Sequence, residues 1–152
     1  MTKVCKAIPV AAVLLALAAT GAAADAVVGA PFELAVGQSV KVGDVTIGFT
    51  AVASDSRCPI GLYCFWEGDA ACNLWADADE SERAELVVHT SDYFGRKVTY
   101  DKLEIQLIAL DPYPVYQSPP APDSYVITLL VTRSTVTPNE QTTWGRIKSL
   151  YR

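Results

Sequence analysis

Hydrophobic and polar residues alternate along most of the chain between residues 32 and 132, a pattern typical of β-strands that bury one face. No stretch of this region has the spacing of a long amphipathic helix, and no repeat is visible. The pattern predicts eight strands, over Phe32–Val36, Gln38–Val42, Val45–Val52, Ala70–Ala76, Ala84–Thr90, Lys97–Tyr100, Leu103–Leu110 and Tyr125–Thr132.

The turns and the two most apolar strands predict how these strands combine. Gly43 and Asp44 separate two alternating segments and favour a two-residue hairpin. Leu103–Leu110 and Tyr125–Thr132 are apolar on both faces, as expected for strands at the centre of a sheet. Short strands joined by turn-rich segments predict an all-β fold, a single antiparallel β-sandwich or barrel-like domain over residues 25–133.

The first 24 residues have the features of an export signal. Lys3 and Lys6 precede the apolar run Ala7–Ala19, and Ala22-Ala23-Ala24 supplies small residues before a cut. We expect cleavage after Ala24, with Ala24-Asp25-Ala26 as a second candidate site. Cys5 precedes the apolar run and would leave with the peptide. The sequence therefore predicts a secreted or periplasmic protein, and leaves open which of the two compartments holds it.

Removal of this signal changes the charge balance. The whole chain has 12 basic and 17 acidic residues, and loss of Lys3 and Lys6 leaves 10 and 17, a formal charge of −7. Such a balance argues against nucleic acid and anionic membrane surfaces as partners. No later segment approaches the length of a membrane helix, so we expect no membrane span after cleavage.

Three cysteines remain after cleavage, and two of them enclose a short loop. Cys58 and Cys64 have five residues between them, including Pro59 and Gly61, which help the chain to reverse. In an exported protein this spacing favours a disulfide, worth about 2 kcal/mol for so small a ring. A metal site would need more ligands than the single His89 can add. A bond between Cys64 and Cys72 across a tight hairpin stays open at this point.

The cysteine loop also carries a recognisable motif. The order Asp-Ser-Arg-Cys-Pro, a spacer and Cys-x-Trp-x-Gly resembles a motif of small, mostly uncharacterised bacterial secreted proteins and lipoproteins. It is formed here by Asp55, Ser56, Arg57, Cys58, Pro59, Cys64, Trp66 and Gly68. A later element of the same family is matched by Pro112-Tyr113-Pro114, so the resemblance spans about Gln38 to Arg133.

This resemblance implies a Cys58–Cys64 disulfide and a bacterial origin, but no activity, substrate or cofactor. It favours Cys58–Cys64 over the cross-strand Cys64–Cys72 bond, which would also be strained. Cys72 is then expected to be a buried free thiol.

The residues that could support catalysis or metal binding do not form a coherent set. His89 is the only histidine, and its neighbours Ser91 and Asp92 cannot form a triad merely by adjacency on a strand. No Gly-x-Ser-x-Gly elbow is present. The acidic run 77–82 lacks the glycine and distal glutamate of a calcium loop and suits an exposed hairpin tip. We therefore predict no catalytic residue, no metal site and no cofactor.

Aromatic residues and stiff loops give the best candidate for a binding surface. The segment 111–123 holds five prolines, which limit the entropy lost on binding. The candidate surface consists of Arg57, Tyr63, Trp66, Tyr113 and Tyr116. For the two tryptophans themselves we favour the alternative, that Trp66 and Trp75 fill the ends of the sandwich.

The last segment, 134–152, differs from the rest. Thr137-Pro138-Asn139-Glu140 resembles a capping box, and Trp144, Ile147 and Tyr151 recur at helical spacing. This pattern predicts a C-terminal tail that can form a short helix.

Three functional hypotheses follow from the sequence. The favoured one is a non-catalytic domain that binds a protein or a cell-envelope component. The second is a proteinase inhibitor that presents the Cys58–Cys64 loop to a proteinase cleft. The third is a hydrolase, for which the sequence offers no coherent set of residues.

Overall fold

The computed structural model describes residues 25–78 and 83–134, which form eight strands and, within these ranges, no helix. The prediction of an all-β fold is confirmed: two antiparallel sheets of four strands each form a sandwich. The strands are β1 (Pro31–Ala35), β2 (Ser39–Val42), β3 (Val45–Asp55), β4 (Ala70–Ala78), β5 (Ala84–His89), β6 (Lys97–Tyr100), β7 (Leu103–Asp111) and β8 (Val126–Arg133).

The chain forms two sheets and changes from one to the other twice. One sheet has the order β1-β8-β7-β6 and the other β2-β3-β4-β5, so the chain crosses between sheets after β1 and after β5. The two strands predicted to be central, β7 and β8, are the inner pair of the first sheet. The predicted hairpin is also confirmed, because Val42 pairs with Val45 and Gly43 has the positive φ of 64° that such a turn requires.

Alternate residues of both sheets meet in one apolar core. Each large aliphatic side chain buried there stabilises the fold by about 1.5–3 kcal/mol relative to exposure. The largest fully buried side chains come from the middle of both sheets: Ile47, Phe49, Leu74, Ile105, Leu107, Ile127 and Leu129. This core holds the strands, and the loops at their ends are free to carry other functions.

The prediction for the cysteines is confirmed, since Cys58 and Cys64 form a disulfide and Cys72 is a buried free thiol. The alternative hairpin does not form, because β4 begins only at Ala70 and pairs with β3 on one side and β5 on the other. Cys72 lies opposite Val52 and Val88 in these pairings, within the core.

We expect the Cys72 thiol to resist alkylation in the native protein. Burial raises its pKa to about 12, so the reactive thiolate is scarce at neutral pH and the sulfur is also inaccessible. For the protein that begins at Asp25, and so lacks Cys5, intact-mass measurement after iodoacetamide treatment at pH 8 should show no adduct without denaturant and one adduct in urea without reductant. Rapid labelling of the folded protein would contradict the buried position of Cys72.

One expectation about the tryptophans is wrong. Trp75 does not fill an end of the sandwich: it lies on β4, where its neighbours Leu74 and Ala76 face the core and its own ring faces outward. The ring covers Gly48 on the adjacent strand, and the guanidinium of Arg83 lies 3.8 Å from the ring centroid. Gly48 supplies the space, because a Cβ at that position would overlap the indole.

Several predictions fall on residues outside the described ranges. These are the export signal 1–24 with its cut after Ala24, residues 79–82 of the acidic run, and the tail from residue 135 onward. In the described ranges, no helix is long and apolar enough to cross a membrane.

Candidate functional site

Three loops lie together at one end of the sandwich. They join β3 to β4 (residues 56–69), β5 to β6 (90–96) and β7 to β8 (112–125). Because β3 and β5 both run antiparallel to β4, the first two loops leave their sheet at the same end, and a bridge between Ile60 and Val115 places the third loop beside the first. We call these three loops the aromatic end, because they carry most of the exposed aromatic side chains.

The disulfide ring is bound directly to the proline-rich loop. The Ile60 amide donates to the Pro114 carbonyl oxygen at 2.9 Å, and the Tyr116 amide donates to the Ile60 carbonyl oxygen at 3.0 Å. These two bonds form a short parallel bridge between Ile60 and Val115. The first and third loops therefore act as one body.

The side chain of Arg57 holds the first and third loops together from the buried side. Its Nε and Nη2 donate to the two carboxylate oxygens of Asp55 at 2.9 and 2.7 Å, and its Nη1 donates to the Leu110 carbonyl oxygen at 2.6 Å. Nη2 also reaches the Pro112 carbonyl oxygen at 3.1 Å, and the guanidinium lies 4.8 Å from the centroid of the Tyr113 ring. The end of β3 is thereby tied to the end of β7 across the two sheets.

The position of Arg57 differs from the one expected of a surface residue. Only 7% of the residue is exposed, and its donors are committed to Asp55 and to two backbone carbonyl groups. Four of the five guanidinium N–H donors are used in these bonds, and the residue also lines a cavity of about 230 Å³ beside Tyr113. Arg57 therefore acts mainly as a support for the candidate surface.

Asp55 is held in its charged form by these contacts. Burial raises the pKa of its carboxyl group, but hydrogen bonds and charge from Arg57 and a bond from the Tyr125 hydroxyl outweigh burial, and the pKa is lowered. For Tyr125, burial and the bond that its hydroxyl donates to Asp55 at 3.0 Å together raise the pKa. The Asp55 side chain is therefore an ionised carboxylate at neutral pH, and it accepts four hydrogen bonds.

A second carboxylate, which the sequence analysis did not single out, joins the first loop to the second. Asp69 Oδ2 lies 2.6 Å from His89 Nδ1, while Oδ1 accepts from the Ser91 amide at 2.9 Å and from the Thr90 hydroxyl at 3.2 Å. Burial raises the pKa of Asp69, but these hydrogen bonds outweigh it and the pKa is lowered. Asp69 and His89 are 20 residues apart, so only the pairing of β4 with β5 brings them together.

The Asp69–His89 pair lacks the third member of a hydrolytic triad. In residues 25–78 and 83–134, no serine, threonine or cysteine side chain bonds to His89 Nε2. Ser91 is buried, and its hydroxyl oxygen accepts from the Tyr93 amide at 3.3 Å. The His89 ring instead contacts the Phe94 ring, with the planes tilted by 38° and the centroids 5.7 Å apart. The pair positions the second loop.

The residues of the cysteine motif have related structural roles. Ser56 uses both its amide and its hydroxyl to bond the Asp69 carbonyl oxygen, at 2.7 and 2.8 Å, and so closes the first loop at its base. Two residues further into the loop, the Cys58 amide donates to the Glu67 carbonyl oxygen at 2.7 Å. Gly68 passes so close to the Ser56 backbone that a side chain has no space there.

Most of the predicted surface residues are exposed at the aromatic end. Tyr63 and Phe65, on either side of Cys64, are fully exposed, and about half of Tyr116 is exposed. Tyr113 is less exposed because it covers Arg57. Trp66 does not fill the end of the sandwich, since 51% of it is exposed. So many large apolar groups at one end of a small domain are typical of a recognition surface.

Trp66 forms one wall of a groove that the sequence did not predict. Its ring meets the Phe94 ring edge to face, with centroids 6.3 Å apart, and Phe94 meets Tyr93 in the same way at 5.1 Å. The groove has a volume of about 530 Å³, and Glu67 and Ser91 complete its lining. Tyr93 and Phe94 were visible in the sequence only as aromatics in a turn after a strand, which is a weak signal.

The chain was also compared with known proteins. No protein-family model matches it, and no curated protein or solved structure is significantly similar to it. The resemblance to the bacterial secreted proteins with the cysteine motif therefore stays a prediction.

Proposed function

We propose that the protein is a non-catalytic binding module, exported from the cytoplasm, that contacts a protein or a cell-envelope component through its aromatic end. The observation that carries this proposal is the placement of seven exposed aromatic side chains on three mutually braced loops: Tyr63, Phe65, Trp66, Tyr93, Phe94, Tyr113 and Tyr116. The hydrolase hypothesis has no comparable support.

Bracing supports this proposal on energetic grounds. The Ile60–Val115 bridge, the Arg57–Asp55 pair and the Asp69–His89 pair each hold one loop against another part of the domain. A loop ordered before binding loses less conformational entropy on binding, which leaves more of the contact energy as affinity. Tyrosine and tryptophan are also the residues that most often dominate such interfaces.

The compartment is proposed on similar grounds. A disulfide persists in oxidising environments such as the periplasm and the extracellular space, and the Cys58–Cys64 bond fits either. We propose that residues 1–24 direct the chain there and are removed after Ala24.

Site-specific photocrosslinking in the producing cell tests the proposal. Benzoylphenylalanine in place of Tyr63 is expected to give a discrete high-mass adduct, because this side chain is fully exposed at the aromatic end. The same reporter at Thr99, an exposed residue of β6, is the matched control and should give none. The Trp66→Ala change should lower the Tyr63 adduct yield by several fold, as expected for a hot-spot residue. Equal crosslinking at Tyr63 and Thr99 would contradict the proposal.

A second function, inhibition of a proteinase, is favoured by one specific observation. Residues 60–67 of the first loop are all exposed, while the disulfide and the bonds to Pro114 and Tyr116 hold their base. A protruding loop fixed at its base suits a proteinase cleft. Stoichiometric inhibition in a panel of purified serine, cysteine and metalloproteinases, lost in Tyr63→Ala, would support this function over the first.

A further inference from the structure

The groove beside Trp66 combines aromatic rings with a carboxylate, and this combination selects a class of ligand. We propose that the groove holds a basic side chain, arginine or lysine, of a partner protein. The inference rests on the proposed function, since it names the chemistry of what the aromatic end binds.

The charge around the groove is the first argument. The three loops, together with the strand residues that flank them (Asp55, Ala70, His89, Lys97, Asp111 and Val126), contain six carboxylates, two arginines and one lysine, a formal balance of −3, and the lysine, Lys97, pairs with Glu104. The acids are Asp55, Glu67, Asp69, Asp92, Asp111 and Asp123, and the arginines are Arg57 and Arg96. An end with this balance attracts a positively charged surface and repels an acidic one.

The two arginines do not cancel this charge at the groove. Arg57 is buried with Asp55. Arg96 donates from Nε and Nη2 to the Thr90 carbonyl oxygen, and its Nε lies 3.8 Å from Asp92 Oδ1. Arg96 does not line the groove. The positive charges of the aromatic end are therefore engaged elsewhere.

Glu67 is the charged group that lines the groove. Its backbone is fixed by the bond from the Cys58 amide, so its side chain emerges beside Trp66 at a defined place. Among the described residues, this carboxylate has no hydrogen-bond or ion-pair partner, and it is exposed. A carboxylate only accepts hydrogen bonds, which a guanidinium or ammonium group donates.

The rings favour the same ligand. The Trp66 and Phe94 planes meet at 68°, and the Tyr93 and Phe94 planes at 86°, so the rings form corners and not a flat platform. A cation that enters such a corner contacts more than one ring, and the faces of tryptophan and tyrosine attract it. Arginine is favoured over lysine, because its planar group stacks on a ring while it pairs with a carboxylate.

Titration with two matched peptides tests the inference. The ¹⁵N-labelled protein is titrated at low salt with acetyl-Gly-Arg-Gly-amide and, separately, with acetyl-Gly-citrulline-Gly-amide, which has nearly the same shape without the charge. We expect the arginine peptide to shift the Trp66 indole N–H and the amides of Glu67, Tyr93 and Phe94. The citrulline peptide should bind about tenfold more weakly, the combined effect of losing one cation–π contact and one ion pair.

Two charge-matched variants locate the contact. Glu67→Gln should weaken binding of the arginine peptide several fold, because it removes the carboxylate of the groove. Glu85→Gln removes the same charge from an exposed residue of β5 that pairs with Arg83, and should leave binding unchanged. Equal loss in both variants would show that only net charge matters and would overturn the inference.

Other outcomes separate this inference from the proposed function. The absence of any shift at the groove, or equal binding of both peptides, would overturn the basic side chain as the ligand. So would groove shifts caused by a neutral probe such as cellobiose and not by arginine. Crosslinking from Tyr63 in the cell would still support the binding module in each of these cases. Binding of the arginine peptide at the groove without any crosslink from position 63 would support the groove as a site for a basic side chain and contradict the proposed binding module.

Discussion

Gly68→Ala is expected to destabilise the domain by about 3–4 kcal/mol, the sum of left-handed backbone strain and two lost hydrogen bonds. Gly68 has φ of 77°, and a Cβ there would lie 2.0 Å from the Ser56 carbonyl oxygen and 2.7 Å from the Arg57 Cα. These are backbone atoms, so the loop itself must move. The movement would break the bonds from Ser56 and Cys58 to Asp69 and Glu67. Urea denaturation measures the loss.

Gly43→Ala is the matched control for this prediction. Gly43 also has a positive φ, 64°, but no atom lies within 4 Å of the position of its Cβ. Its replacement should cost only the conformational strain, about 1–2 kcal/mol. A similar loss of stability in the two variants would show that the close approach of Gly68 to Ser56 is not a constraint.

Arg57→Ala is expected to destabilise the domain by about 3–5 kcal/mol, since it leaves the Asp55 carboxylate buried without its partner. The side chains of this pair are 6% and 9% exposed, and the arginine also satisfies the carbonyl groups of Leu110 and Pro112. Lys97→Ala is the control, because Lys97 forms a comparably short but exposed pair with Glu104 and should cost less than about 1 kcal/mol. Comparable losses from both changes would contradict the role assigned to Arg57.

Acidification gives an independent measure of the same contact. Although burial opposes it, the bonding to Arg57 holds the pKa of Asp55 below its ordinary value of 3.8. The stability that comes from the pair is therefore complete above that pH and is lost as the pH falls through the lowered pKa. The difference in unfolding free energy between the protein and Arg57→Ala should be constant at neutral pH and shrink below about pH 3.8. A difference that does not shrink at all as the pH falls would contradict the ion pair as a source of this stability.

The sequence predicted strands well because alternation is a local signal. All eight predicted strands are present, and their ends differ by three residues at most: β3 continues to Asp55, beyond the predicted Val52. That extension begins at an irregularity in the pairing with β4, between Val52 and Ser54, where alternation no longer marks the strand. Trp75 was misplaced for a related reason, since its ring covers a glycine of the next strand and no periodicity encodes that contact.

The candidate site was only partly predictable, because its contacts join residues that are distant in sequence. The cysteine loop and the proline-rich loop were visible as local composition, and both belong to the aromatic end. Arg57 was predicted as part of the binding surface with the rest of the cysteine motif, and its burial was not visible locally because its partners include carbonyl groups more than 50 residues away. The second loop was missed because Tyr93 and Phe94 gain their role only from the Asp69–His89 contact.

The way in which the domain connects to the rest of its chain gives the aromatic end an orientation. Ala26 bonds to Lys41 beside the Gly43 turn, and the Ser134 amide bonds to the Lys102 carbonyl oxygen in the turn between β6 and β7. Both turns lie at the end of the sandwich opposite the three loops. A tether that followed Ser134 would hold the domain at this end, and the aromatic loops would point away from the anchor.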